Sequence, residues 1–170
     1  MTRPVVAVIT DYLPPATRGG AMRALVTMLA ALGEEVEFHV ITRDHDALTG
    51  DPLHVAGAGR WVEEGALNVL RLSREALTVR SVVEAIATIR PDIIFANSLF
   101  SRLTQRVLWA RWRGQIRASP LVIAPEGELV AGALAIKPWR KRIWLDLARR
   151  TRLVDGVRWK AANQMEANAI

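Results

Sequence analysis

The chain contains no cysteine. Disulfides, thiolate chemistry and cysteine-ligated metals are therefore excluded, and the absence fits a reducing, cytosolic setting. No apolar run reaches the roughly 18 residues that a spanning helix needs. The opening Met-Thr-Arg-Pro leads straight into a short apolar run, without the basic segment, long apolar stretch and small-residue cleavage site of a secretory leader. A cytoplasmic protein is expected. Neither Gly-x-Gly-x-x-Gly nor a Walker lysine loop is present, which argues against a free-standing dinucleotide or P-loop domain. No histidine stands at a ligating spacing from another, so no metal is expected. Internal repeats and low-complexity tracts are also missing.

What remains is a chain of 170 residues, 51% of them hydrophobic, enough for one substantial core and one domain. A net charge of +6 and a pI near 10.9 permit anionic partners: nucleotide, phosphoglycan, nucleic acid or an anionic membrane face.

The most informative stretch runs from residue 5 to residue 33. Val5, Val6, Ala7, Val8, Ile9 and Thr10 are apolar on both parities, as in a parallel strand covered on both faces. Pro14 and Pro15 forbid its continuation. Arg18, Gly19 and Gly20 follow, then Met22, Leu25, Val26, Met28, Leu29 and Leu32 at helical spacing, with Gly33 at the helix end. A helix N-terminus beside a glycine turn offers unpaired N–H groups and partial positive charge to a phosphate, with Arg18 and Arg23 near enough to add charge. The alternative is a turn that merely lets the helix fold back on its strand.

Residues 36–42 alternate as a second strand, whose period of two places it toward the outside of the sheet. Next to it, His45 among Arg43, Asp44 and Asp46 is either a metal ligand or base, or part of a solvated loop, and the loop is favoured. Residues 47–62 are glycine-rich and aperiodic, a long surface loop pinned by Trp61. Strands are expected at 68–73, 92–98, 120–124 and 155–161, and helices at 79–89, 99–112 and 137–150, with another starting at 164. The arrangement is α/β, a Rossmann-like parallel sheet with helices on both faces.

Arginines interleave with Trp109 and Trp112 in the 99–112 helix, a pattern that suits base stacking. The helix's apolar side accounts for the tryptophans more simply, and no nucleic-acid partner is expected. In Pro125-Glu126-Gly127-Glu128 two carboxylates could do acid–base work or grip sugar hydroxyls, or form an exposed turn. In the 137–150 helix, Trp139, Ile143, Trp144 and Leu147 share a side flanked by Lys141, Arg142, Arg149 and Arg150. That side either lies on anionic lipid or packs on the sheet, and packing is favoured.

The order of these pieces is similar to the N-terminal half of a retaining glycosyltransferase of the GT-B fold, family 4. The resemblance spans almost the whole chain. It rests on Pro14 and Pro15 ahead of Gly19-Gly20-x-x-Arg23, and on Pro91-Asp92-Ile93-Ile94 leading to Asn97-Ser98-Leu99-Phe100-Ser101. It continues with Ala124 to Glu128 followed by Gly132-Ala133-Leu134 and Ile136-Lys137, and ends on Trp159 with Glu166-Ala167. In that family two Rossmann-like domains face each other across the reaction cleft. The resemblance implies that Gly19, Gly20 and Arg23 form a loop beside the donor diphosphate. It implies that Asn97, Ser98, Glu126, Gly127, Glu128 and Lys137 lie on the acceptor side. The nucleotide sugar would be a substrate and no cofactor is implied.

Two departures bear on acceptor choice: Glu126 replaces the arginine of a Pro-Arg-Gly-Glu pattern, and Lys160-Ala161-Ala162-Asn163 replaces His-Ala-Thr-Ser. The nucleotide-sugar-binding domain of the family is expected on another chain or in a missing part of this one. Two functions follow: the acceptor half of a glycosyltransferase, inactive without its donor domain, or a non-catalytic module that binds a glycan or pairs with another subunit.

Overall fold

The computed structural model describes residues 2–16, 19–46, 49–55, 57–116, 119–136 and 138–170, so Arg18 and Lys137 lie outside the described residues. The chain runs β1 (Val5–Thr10), α1 (Gly19–Leu32), β2 (Glu37–Arg43), β3 (Trp61–Glu64), β4 (Leu67–Leu72), α2 (Val79–Ile89), β5 (Ile93–Asn97) and α3 (Arg102–Trp112). It continues with β6 (Leu121–Ala124), α4 (Ala131–Leu134), α5 (Pro138–Arg150), β7 (Arg158–Trp159) and α6 (Gln164–Ala167). The seven strands form one sheet in the order β3-β4-β2-β1-β5-β6-β7, parallel except for the antiparallel β3–β4 pair. This is the expected Rossmann-like α/β architecture.

β1 is the middle strand, and its residues alternate between two cores. Val6 and Val8 pack with Leu25 and Leu29 of α1, Phe38, Val40 and Phe95. Ala7 and Ile9 belong to the opposite core, with Val82 and Ile86 of α2, Leu103 and Val107 of α3, and Ala148 of α5. Crossovers run one way from β1 to β2 and the other way from β4 onward, and right-handed connection then puts α1 on one face and the later helices on the other. Local chemistry sets the helix ends. The Thr78 hydroxyl accepts from Ser81 N at 3.1 Å to start α2, and the left-handed Arg90 ends it before Pro91. The Ser101 hydroxyl accepts from Leu103 N at 3.1 Å to start α3.

Several expectations are corrected. β2 is internal, paired on both sides with β1 and β4. Its polar alternation is absorbed locally: His39 Nε2 lies 2.7 Å from Glu37 Oε1, and the His39 ring meets Trp61 edge-on at 5.5 Å. Trp61 is not a loop anchor but the first residue of β3, which forms a two-residue hairpin with β4 around Gly65, at φ +61°, and Ala66. The last strand is only Arg158–Trp159.

On α5, Trp144, Leu145 and Ala148 face the sheet, and Trp144 meets Phe100 at 5.6 Å. Trp139, Ile143 and Leu147 form a second apolar stripe that is 61%, 59% and 42% exposed, so only part of the helix's apolar surface packs inward. Among the described residues no helix is long and apolar enough to cross a membrane.

Candidate functional site

The chain reverses its direction of sheet growth between β1 and β5, and the loops at their carboxyl ends diverge there, as at ligand crevices of open α/β sheets. Three expected site groups meet at this point. Gly19 opens α1 at φ +80°, where a side chain would be strained, and a Cβ on Gly20 would meet nothing within 4 Å. Arg23 is exposed in the next turn. Asn97 ends β5, is 4% exposed, and its Nδ2 lies 3.5 Å from Ala21 O in the first turn of α1. Its buried Oδ1 has no partner among the described residues, an unsatisfied acceptor beside the glycine turn.

Ser98 adopts φ +92°, uncommon for a residue with a Cβ, and is held there by Glu128. The Ser98 hydroxyl donates to Glu128 Oε1 at 2.6 Å, and Glu128 Oε2 accepts from Leu99 N at 2.6 Å and Phe100 N at 3.2 Å. Burial pushes the Glu128 carboxyl above its ordinary value, against the lowering effect of these donors and of the Lys141 charge.

Glu126 and Gly127 also have positive φ, +54° and +88°. Lys160 Nζ donates to Glu126 Oε1 at 3.0 Å, and Gly127 N donates to Glu166 Oε1 at 2.7 Å. Glu166 is fully buried, and its other oxygen accepts from Ala162 N at 2.9 Å. The reading of an exposed acidic turn is thus corrected: its carboxylates are engaged by the chain's own donors. Glu166 enters the resemblance only as part of Glu166-Ala167, and the structure gives it this bracing position. Its signal was Asn163-x-x-Glu166, a helix-start pattern in which Asn163 Oδ1 accepts from Glu166 N at 2.9 Å. Lys137, the remaining acceptor-side residue, lies outside the described residues.

On the other side of the switch point is a crevice of about 520 Å³, of which the sequence marks only the segment from Arg43 to Asp46, at the carboxyl end of the second strand where ligands of open α/β sheets bind. Arg43, Arg74, Arg102 and Arg106 converge on it with Asp11 and Asp46. Arg43 Nε donates to Asp11 Oδ1 at 2.8 Å, and both side chains are nearly buried. His45, expected in a solvated loop, is buried on the crevice wall with Nδ1 2.8 Å from Asp44 Oδ1. The loop turns back through a His45–Pro52 bridge, and Leu53 N donates to Asp44 O at 2.7 Å. The available signal was the place of Arg43 and Arg74 just at or beyond the carboxyl ends of β2 and β4, where ligands of such sheets bind.

The loop carrying Pro14 is fixed by Arg71, whose guanidinium pairs with Glu64 and donates to Pro14 O at 2.9 Å. Among the described residues, no three His, Asp or Glu side chains gather as a metal site. The arrangement offers hydrogen-bond donors, one buried amide acceptor and a cationic crevice, which suit polyhydroxylated and anionic ligands. Compared with known proteins, the chain matches no family model and no curated sequence.

Proposed function

We propose that this chain is the acceptor-side domain of a retaining glycosyltransferase, one half of a GT-B fold. It would move a sugar from a nucleotide sugar to a hydroxyl of a glycan or lipid-linked saccharide. The observation that carries this reading is the junction at the switch point, where the glycine-opened turn of α1, Asn97 and the Ser98–Glu128 pair form one wall. In transfer, the acceptor oxygen bonds to the anomeric carbon while the bond from that carbon to the diphosphate oxygen breaks, and the acceptor proton leaves with the diphosphate. The N–H groups of the first turn of α1, with the positive end of the helix dipole, stabilise the charge gained by the leaving group. The unpartnered Asn97 Oδ1 accepts from a saccharide hydroxyl. A second, donor-binding domain completes the site.

A second reading, a non-catalytic module that binds a glycan or pairs with another subunit, is favoured by one observation. Glu126 and Glu128 are both engaged by donors of the chain, so neither is a ready base. The test is nucleotide-sugar turnover across a panel of donors and acceptors, for this chain alone and mixed with a family 4 donor-binding domain from the same source. Turnover in the mixture alone supports the enzyme. No turnover in either case, with saccharide binding still measurable by calorimetry, supports the module.

The α5 stripe supports a cytoplasmic domain that touches the inner face of a membrane. Trp139, Ile143 and Leu147 are flanked by exposed Arg140, Arg142, Arg149 and Arg150, an arrangement that fits the interface of an anionic bilayer.

A further inference from the structure

The lining of the arginine crevice carries an excess of positive charge. Four arginines face two aspartates there, an excess of two, with Glu75 acting on Arg74 from outside the lining. The Asp11 carboxylate is already engaged by Arg43. Among the described residues, Arg74, Arg102 and Arg106 have no carboxylate at ion-pair distance. Burial draws Arg106 below the usual guanidinium range, and the Arg43 and Arg102 charges add to that effect, while Asp11 opposes it. Gathering like charges is unfavourable unless something else holds them, and packing alone gives these residues little. Arg106 Nη1 donates to Arg102 O at 3.3 Å and Arg74 Nη2 to Gly50 O at 3.2 Å, which uses few of the five donors each guanidinium carries. Gly50, at φ +80°, leaves the space that Arg74 occupies: a Cβ there would lie 2.2 Å from Arg74 Nη2.

These four cations come from three places in the chain: the end of β2, the loop after β4, and the first two turns of α3. A volume near 520 Å³ falls in the range of small-molecule sites. The α3 N-terminus is not itself the attraction, because Ser101 and Glu128 already take the N–H groups around it. Phe100 lines the crevice, and its N–H is bound by the same Glu128 that holds Ser98, so the crevice adjoins the acceptor wall.

We propose that this crevice binds the phosphate of a phosphorylated saccharide, which is the acceptor class of the domain. A phosphate dianion matches the positive excess of the lining, and the planar forks of Arg102 and Arg106 suit its oxygens. The assignment of the ligand as acceptor rests on the glycosyltransferase reading; its binding does not.

The test is calorimetry on the full chain with glucose 6-phosphate, inorganic phosphate, glucose, glucuronate and uridine diphosphate. Sugar phosphate is expected to bind more tightly than inorganic phosphate, glucose or glucuronate, and to weaken as salt rises. Arg106→Gln and the exposed Arg102→Gln should each reduce that affinity about tenfold while the thermal transition stays in place. Arg80→Gln, on the outer face of α2, should leave it unchanged. The proposal is overturned if sugar phosphate does not bind, if glucuronate or inorganic phosphate binds equally well, or if both arginine variants bind normally. Preferential binding of uridine diphosphate that both variants weaken would also overturn it, by assigning the crevice to the donor. A transfer assay with phosphorylated and unphosphorylated acceptors, run with the donor-binding domain, separates the two ideas: transfer to unphosphorylated acceptors with no sugar-phosphate binding removes this inference alone, and sugar-phosphate binding with no transfer to either acceptor class removes the enzyme reading alone.

Discussion

The two sides of the switch point treat charge in opposite ways. On the β5–β6 side, Glu126, Glu128 and Glu166 are each bound by donors of the chain, and together they hold Ser98, Glu126 and Gly127 at positive φ. In the crevice between the ends of β1, β2 and β4 and the start of α3, four arginines gather around two aspartates, and only Arg43 has a carboxylate at ion-pair distance among the described residues. A charge that the fold completes is architecture, and a charge that the fold leaves open is available to a ligand. Residue type alone does not separate the two, since the paired carboxylates read either as chemistry or as an exposed turn, and the arginines of the 99–112 helix read as a base-stacking pattern.

The comparison breaks most readily at Glu166. Glu166→Ala removes a fully buried carboxylate that accepts from Gly127 N and Ala162 N, leaving two donors without partners. A loss of about 3 kcal/mol in denaturant unfolding is expected. A loss under about 1 kcal/mol would mean the turn does not need it.

On the cationic side, Asp11→Asn should cost about 2 kcal/mol by leaving the nearly buried Arg43 without its partner. Added sugar phosphate should recover more stability in this variant than in the parent, because one more positive charge is open to it. Equal recovery in both proteins would separate Arg43 from the binding crevice.

Glu128 sharpens the comparison through pH. Its carboxyl is raised in the folded state, so the folded chain binds the proton more tightly than the unfolded chain. The associated stability is fully present below the ordinary carboxyl value and is lost as pH rises through the raised folded value. Glu128→Gln keeps an acceptor for Leu99 N and removes the titration. Melting temperatures measured from pH 4 to 8 should therefore fall less with rising pH in the variant, and parallel curves would refute the assignment.

The smallest effect on stability is expected at α5. Trp139→Ser combined with Ile143→Ser changes two residues that are 61% and 59% exposed, and should shift unfolding by no more than about 0.5 kcal/mol. Cosedimentation with anionic vesicles should drop markedly. Unchanged cosedimentation would remove the membrane contact.

The fold was largely legible because its signals are local. Apolar runs on both parities announce β1 and β5, and helical spacing ending at Pro91 announces α2. β3 escaped because its Gly65-Ala66 turn adjoins a glycine-rich segment, which hides a two-residue hairpin. The outer position expected for β2 failed because Glu37 and His39 satisfy each other on a partly exposed face of an internal strand.

The site was legible in part. Gly19, Asn97 and Ser98 stand where strand ends and helix starts put them, and the topology brings them together. The engagement of Gly127 by Glu166, and the meeting of Arg43 with Arg106, join residues far apart in the chain. Periodicity carries no record of such contacts, because they are set by how β6, α6 and α3 pack rather than by any segment alone.

The most direct measurement compares transfer by the parent chain and by Gly20→Val, each mixed with a donor-binding domain. Gly20 has no positive φ and open space around its Cβ position, and valine is a better helix residue than glycine, so the variant should fold with nearly unchanged stability. Its side chain would stand where the diphosphate approaches the first turn of α1. Turnover by the parent mixture, with at least about a hundredfold loss in Gly20→Val, is the expected result. Equal turnover by both would make the glycine turn purely architectural, and no turnover by the parent with any donor would contradict the glycosyltransferase account.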